Sequence, residues 1–457
     1  MESTRRNFLK TMGAVSLAFS GLQSFANGLH ENLLAEGYGP LENKGIVKLP
    51  KGFSFKIIAE KGSTMHDGLL LPGRPDGMGT FEGKNGRMIL VRNHENSPGY
   101  LTESPFGYSN QHLHKVNKER VFDMGYGKYP HLGGTTTSIY NEATQQVEKV
   151  FMSLAGTARN CAGGVTPWGS WLTCEEYVLG KNATHEKKHG YVFEVPASDK
   201  MALKYPVPLR SMGRFNHEAV AVDPRTGIVY LTEDRHEGLF YRFIPNVKGQ
   251  LHKRGKLQAL AFVWKDKMDT RNWKEQSIKT NTKYAVKWID MEDVDSEKDD
   301  LRIRGHEAGS AVFARGEGIW FGKNELYFAC TNGGRTKTGQ IFRYIPSKYE
   351  GTSKESKEAY LPRLELYAEP NDTSVLKYCD NLTVAPWGDV VFCEDRTEPR
   401  IFGITPQGKF YQIAENIGYK SEFAGVCFSP SGKTLFVNIQ VPGLTLAITG
   451  DWSRLRP

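Results

Sequence analysis

Three residues able to do chemistry stand at one fixed distance from a turn proline. Cys161 lies six residues before Pro167, Glu218 six before Pro224 and Asp380 six before Pro386. Two related segments carry Arg315 with Glu317 (ARGEG) and Glu422 (SEFAGV) in the corresponding region. Beyond each turn the chain supplies further polar groups: Asn93, His94 and Glu95; Glu175 and Glu176; Glu233 and Asp234; Glu394 and Asp395. Carboxylates gathered in a cleft repel and raise one another's pKa unless cations neutralise them, so this set points to bound metal ions. Oxygen donors suit calcium or another hard cation, and a thiolate among them calls for a transition metal such as iron. Arg315 adds a planar fork matched to phosphate or carboxylate oxygens. His94 and His217, each followed by an acid in the triplet NHE, can orient that neighbour instead of ligating directly. Any one acid alone reads as a solvated strand end paired with Arg214, Arg235 or Arg396, and Cys161 alone reads as core; the shared phase is what favours a site.

A repeat must hold these residues in register. VTPWGSWLTCEE (165–176), VDPRTGIVYLTED (222–234), VAPWGDVVFCED (384–395) and FSPSGKTLFVNIQ (428–440) each read as strand, tight turn and strand. KNGRMILVRNHE (84–95) and IWFGKNELYFACTN (319–332) are weaker copies, which makes six. A third strand follows several copies, as in GYVFEV (190–195), GLFYRFIP (238–245) and GQIFRYIP (339–346). One such meander cannot bury both faces, whereas stacking around an axis can, so the sequence predicts an all-β fold, a six-bladed β-propeller with loop insertions. The first strand of each blade then lies nearest the axis, and the polar residues before it meet at one mouth of the channel. Uneven repeat spacing puts insertions at about 100–135 and 246–310, the second Lys-rich and then acidic. Ring closure recruits IVKLPKGFSFKIIAE (46–60) into the last blade.

The chain has 457 residues, 39% hydrophobic and 24% charged, which suffices for a large core and excludes a disordered polymer or a small disulfide knot. The net charge of +8 is diffuse, with no run of five or more Lys/Arg, so no nucleic acid partner is expected. Residues 1–26 resemble a twin-arginine export signal: STRRNFLK precedes a short, Gly/Ser-interrupted apolar stretch ending near Ala26. That stretch is too short for stable membrane insertion. The expectation is a folded, metal-loaded chain carried by the twin-arginine export machinery to a periplasmic or secreted location, with residues 27–457 forming a single propeller domain. The six cysteines show no CxxC and no bridge framework; five lie in strand-like runs and read as buried hydrophobes.

RNHE (92–95), LAGTARNCAGGVTPWGSWLTCEE (154–176), RFNHEAVAVDP (214–224), FARGEGIWF (313–321), DNLTVAPWGD (380–389) and EFAGVCFSP (422–430), in that order, resemble the PhoX alkaline phosphatase family. The resemblance runs from about residue 45 to 440, and NCAGGVTPWGSWLTCEE is its most specific part. It implies a six-bladed propeller with an axial cluster of ferric iron (Fe3+) and calcium, acting on small-molecule phosphate monoesters. Carried over residue by residue, Cys161 is similar to the thiolate iron ligand, and Glu95, Glu218 and Glu317 to the carboxylates shared by iron and calcium. Asp380 and Glu422 resemble calcium ligands, and Arg315 resembles the phosphate clamp. Cys379 departs from the pattern, standing before Asp380-Asn381 in place of an expected proline, and the chain is shorter than many relatives.

Phosphate-monoester hydrolysis is among the slowest uncatalysed reactions, so positioning and charge neutralisation must supply most of the acceleration. Two other classes compete. Asp380-Asn381 also fits a calcium-dependent lactonase-type propeller hydrolase, which has no need of the channel arginine or the thiolate. A non-catalytic binding propeller would use calcium only to brace its blades, and fold alone does not exclude it.

Overall fold

A computed structural model describes residues 33–455. The expected export segment, 1–26, lies outside the described residues. Strands dominate, and Leu301–Glu307 is the one α-helix among the described residues. None of the helices described is long and apolar enough to cross a membrane.

The turn chemistry sets the hairpins. Asn160–Val165 pairs antiparallel with Ser170–Glu175, and Cys379–Val384 with Val390–Glu394. Gly169 and Gly388 close these two turns at φ +81° and +102°, a conformation costly for any residue with a Cβ. The same antiparallel unit recurs with Pro75–Glu82 on Arg87–His94, His217–Val222 on Val229–Glu233, Gly316–Phe321 on Leu326–Cys330, and Phe423–Phe428 on Thr434–Ile439. A third strand extends every unit: Gly133–Asn141, Val192–Pro196, Phe240–Pro245, Gln340–Ile345, Arg400–Ile404 and Leu444–Thr449.

The first strands of consecutive units pack side by side, and Phe423–Phe428 returns to Pro75–Glu82, which gives a propeller-like arrangement. Ser54–Glu60 pairs with Leu444–Thr449, so a strand from early in the chain completes the sheet of the last hairpin. Among the described residues, hydrogen bonding defines five sheets. One has nine strands, because Lys283–Asp290 bridges Gly255–Phe262 and Arg363–Ala368 and fuses two units at their outer edges. The stretch 246–310, expected as an insertion, contributes two sheet strands and the helix. The 100–135 stretch consists of short 3₁₀ turns and loops between Arg87–His94 and Gly133–Asn141.

Two features of the first strands bear on the site. They pack too closely for side chains at certain points: a Cβ on Gly77 would lie 2.6 Å from the Ala162 Cα, and one on Gly318 2.6 Å from the Asn381 Cα. Each first strand also carries a register shift near its start, at Pro75/Met78, Asn160/Gly163, His217/Val220, Gly316/Ile319, Cys379/Leu382 and Ala424/Cys427. Such bulges re-aim a side chain that the regular pleat would send into the sheet packing.

Candidate metal centre

Repeat phase now becomes position around an axis. The second residue of five first strands, Asp76, Cys161, Glu218, Glu317 and Asp380, sits inside the bulge and faces the axis. The residue just after the second strand supplies Glu95, Glu176, Asp234 and Asp395 from four units, with Gln440 from a fifth. The residue just before the first strand supplies Arg74, Arg159 and Arg315, and in the last unit Glu422. Together they line one cup of about 230 Å³. Farther along the first strands, Met78, Trp171, Ile319, Leu382 and Val426 line a second cavity of only about 20 Å³.

All seven residues expected at the site, Glu95, Cys161, Glu218, Arg315, Glu317, Asp380 and Glu422, line this cup. Two donor groups form in it. One ligand atom each from Cys161, Glu176 and Glu218 lies within 4.8 Å of the others, and the same holds for Glu218, Glu317 and Asp380. Glu218 belongs to both. Glu422 stands farther out, immediately before its strand instead of inside it.

The electrostatics of the cup favour cations. Burial, and then the charges of Glu317 and Asp380, push the Glu218 carboxyl well up. Burial, and then Asp234, raise Glu317 to about 8. Burial, with the neighbouring acids, likewise raises Asp76, Glu176, Asp380 and Glu422. The Cys161 thiol is pushed up by burial and then by Glu218. Asp76 Oδ1 is buried with no hydrogen-bond partner. Oxygen-rich donors with one thiol, an orphaned carboxylate oxygen and mutual repulsion fit hard cations beside a transition metal.

The arginines hold the rim. Arg315 donates from Nε and Nη2 to Asp234 and from Nη2 to Glu317 at 2.9 Å. Burial opposes its charge, but Glu317 and then Asp234 outweigh it. Arg159 donates from Nη2 to Glu95 at 2.7 Å and to Glu176 at 2.6 Å. Arg74 donates to Gln440 at 2.8 Å and stacks over Tyr100 at 5.0 Å. All three adopt positive φ, at 44°, 47° and 53° for Arg74, Arg159 and Arg315, a strained backbone just ahead of a first strand whose second residue also lines the cup.

Sequence reasoning missed Asp76, Arg74 and Arg159. The signal was present: Arg74-Pro75-Asp76-Gly77 repeats the Arg-x-acid-Gly of Arg315-Gly316-Glu317-Gly318, and Arg159-Asn160-Cys161 shares its phase. The two histidines depart from expectation. His94 bonds Gly73 O and Thr136 Oγ1, and His217 bonds Gly213 O, so neither orients the acid that follows it. Successive strand residues point to opposite faces, which sends Glu95 and Glu218 to the cup and the histidines away from it. All six cysteines are buried and free.

A sequence profile of the family described as alkaline phosphatase PhoX matches residues 36–443. No curated protein matches the chain. Among solved structures, PhoX of Pseudomonas fluorescens in complex with vanadate, a transition state analogue, superposes with a TM-score of 0.64 at 18% identity, over 90% of this chain and 97% of that one. A gluconolactonase from Xanthomonas campestris gives a TM-score of 0.34 at 11% identity, over 86% and 100%. A protein from Bacteroides thetaiotaomicron gives 0.41 at 10%, over 87% and 76%. Since the profile spans nearly all of the propeller-like body and every strand that feeds the cup, this chain belongs to the PhoX alkaline phosphatase family and is a phosphatase.

Proposed function

We propose that the chain is an exported phosphomonoesterase whose cup holds iron and calcium ions at the centre of a six-bladed, single-domain propeller spanning 27–457. The observation that carries the reading is Glu218 shared between two donor groups, one with a thiol and one made only of carboxylates. In this reading Cys161 would hold iron, Glu95, Glu218 and Glu317 would serve both iron and calcium, and Asp380 and Glu422 would hold calcium. Asp76 and Glu176 join them by position. The ions, when bound, neutralise phosphoryl oxygens and act as Lewis acids. Six mutually packed first strands support the blade count. The twin-arginine leader supports export to the periplasm or beyond.

The chain's own groups bind and orient the ester. Asp234 and Glu317 occupy the Nε and Nη2 edge of Arg315, which leaves its Nη1 donors for phosphoryl oxygens. Fixing a guanidinium beforehand stabilises transition-state charge without reorganisation at the moment of reaction. The Pseudomonas fluorescens protein was solved with vanadate, which supports an oxyanion of that class as the ligand of Arg315 in this reading. The leaving alcohol departs through the open side of the cup, past the arginines that line it. Assay of the purified protein on a chromogenic phosphomonoester, with and without chelation and beside metal analysis by mass spectrometry, tests the proposal. Hydrolysis that is lost with the metals supports it. Undiminished turnover in metal-free protein refutes it.

A further inference from the structure

Away from the cup, Asp123 and His131 of the 100–135 stretch are buried against His185 and His189. Asp123 Oδ2 lies 3.0 Å from His189 Nε2 and 3.7 Å from His131 Nε2. One ligand atom each from Asp123, His131 and His189 falls within 4.8 Å of the others. Both ring nitrogens of His131 and the Nε2 of His185 are buried without a hydrogen-bond partner. Orphaned buried nitrogens in a native fold call for an ion or a water.

The partners already in place aim these rings. Glu175 Oε1 stands 2.6 Å from His189 Nδ1, so it takes that N–H and leaves Nε2 directed at Asp123. A carboxylate behind a histidine is the usual support of a ligating imidazole. His185 Nδ1 is engaged by Asn182 at 2.7 Å and Thr184 at 2.8 Å, which leaves its Nε2 lone pair free. His185 and His189 also stand in an H-x₃-H spacing (HEKKH), known among zinc ligands. A charged His189 between Glu175 and Asp123 would explain those three residues by ion pairing alone, yet it leaves both ring nitrogens of His131 and the Nε2 of His185 without a hydrogen-bond partner.

We infer that Asp123, His131 and His189, with His185 as fourth donor, bind a divalent zinc-class ion separate from the cup. Imidazoles with one carboxylate and no thiolate match that class, and a filled set of four protein ligands marks a structural site. His131 now stacks on His189, with centroids 4.3 Å apart and planes 5° from parallel. Ligation turns the His131 ring about χ2, a soft torsion for histidine. The ion ties the 100–135 stretch to the segment that carries His185 and His189.

Zinc content decides the matter on full chains expressed without a polyhistidine tag, exposed to zinc and freed of excess. Wild type and Cys161→Ala retain about one zinc per chain, while His131→Ala and His189→Ala retain on the order of tenfold less, with the remaining metals unchanged. Equal zinc in wild type and both histidine variants overturns the inference. Should a variant fail to fold, anomalous scattering at the zinc edge from zinc-soaked wild-type crystals answers without it: a peak among Asp123, His131 and His189 supports the site, and its absence overturns it.

Discussion

Asp234 grips the guanidinium of Arg315 along one edge, Oδ1 2.7 Å from Nε and Oδ2 2.9 Å from Nη2. The carboxylate comes from the end of one unit's second strand and the arginine from the start of the next unit's first strand. A bidentate pair of this kind fixes the plane of the fork as well as its position.

Removing the fork should therefore cost more than removing its holder. Arg315→Ala is expected to lower kcat/KM on the order of 10³-fold, in keeping with arginines that stabilise phosphoryl-transfer charge. Asp234→Asn keeps the shape but weakens the grip, and should fall roughly 10-fold to 100-fold, mostly in kcat. Steady-state kinetics on a chromogenic monoester measure both; an unchanged Arg315→Ala would contradict the assignment.

Cys161→Ala should remove iron and abolish turnover while the fold survives. The thiol is buried, and the groups within its reach are the His217, Glu218 and Cys174 carbonyls, at 3.4, 3.6 and 4.0 Å, which an alanine leaves in place. Metal analysis and circular dichroism of the variant check this. Full activity without iron would refute the thiolate's role.

Asn93→Ala is expected to destabilise the protein by about 2–4 kcal/mol. Asn93 accepts the buried Trp171 indole N–H at 2.8 Å and donates to the Cys161 and Ala162 carbonyls at 3.1 and 2.7 Å. Alanine leaves those three groups unpaired beside the strand that carries Cys161. Urea denaturation of wild type and variant gives the difference.

Stripping the metals should make stability fall as pH rises. Burial first, and Asp234 second, raise Glu317 to about 8, above its ordinary 4.5, so the metal-free fold holds more protons than the unfolded chain between those values. The contribution is present in full below about pH 4.5 and is lost as pH climbs through about 8. Melting temperatures of chelated protein should decline across that range, and restoring the metals should remove the decline. A melting temperature that rises with pH in the chelated protein would count against the picture.

Much of the cup was legible because repeat phase survives in the sequence. Cys161, Glu218 and Asp380 share an offset from a proline, and the structure brings them to one level around the axis. Asp76 went unread because its strand, Pro75–Glu82, carries no turn proline, although its Arg-x-acid-Gly start was there to be matched. The paired acids were ambiguous for another reason. Of Glu175 and Glu176, Glu233 and Asp234, and Glu394 and Asp395, only the second of each lines the cup. The first acids turn away: Glu175 to His189, Glu233 to the Tyr241 hydroxyl, and Glu394 to Arg400. Both members look alike in a string of letters, and the pleat alone separates them.

By itself the sequence determined the strand-turn-strand units, their phase, and the types of donor they would offer, since these rest on short-range periodicity and turn chemistry. Tertiary structure alone decided which acid of each pair meets the axis, that Glu218 serves two donor groups, and that three strained arginines rim the same mouth. It also brought Asp123 and His131 against His185 and His189. Those outcomes depend on bulges, close glycine contacts and the packing of segments far apart along the chain, for which no local pattern carries the information.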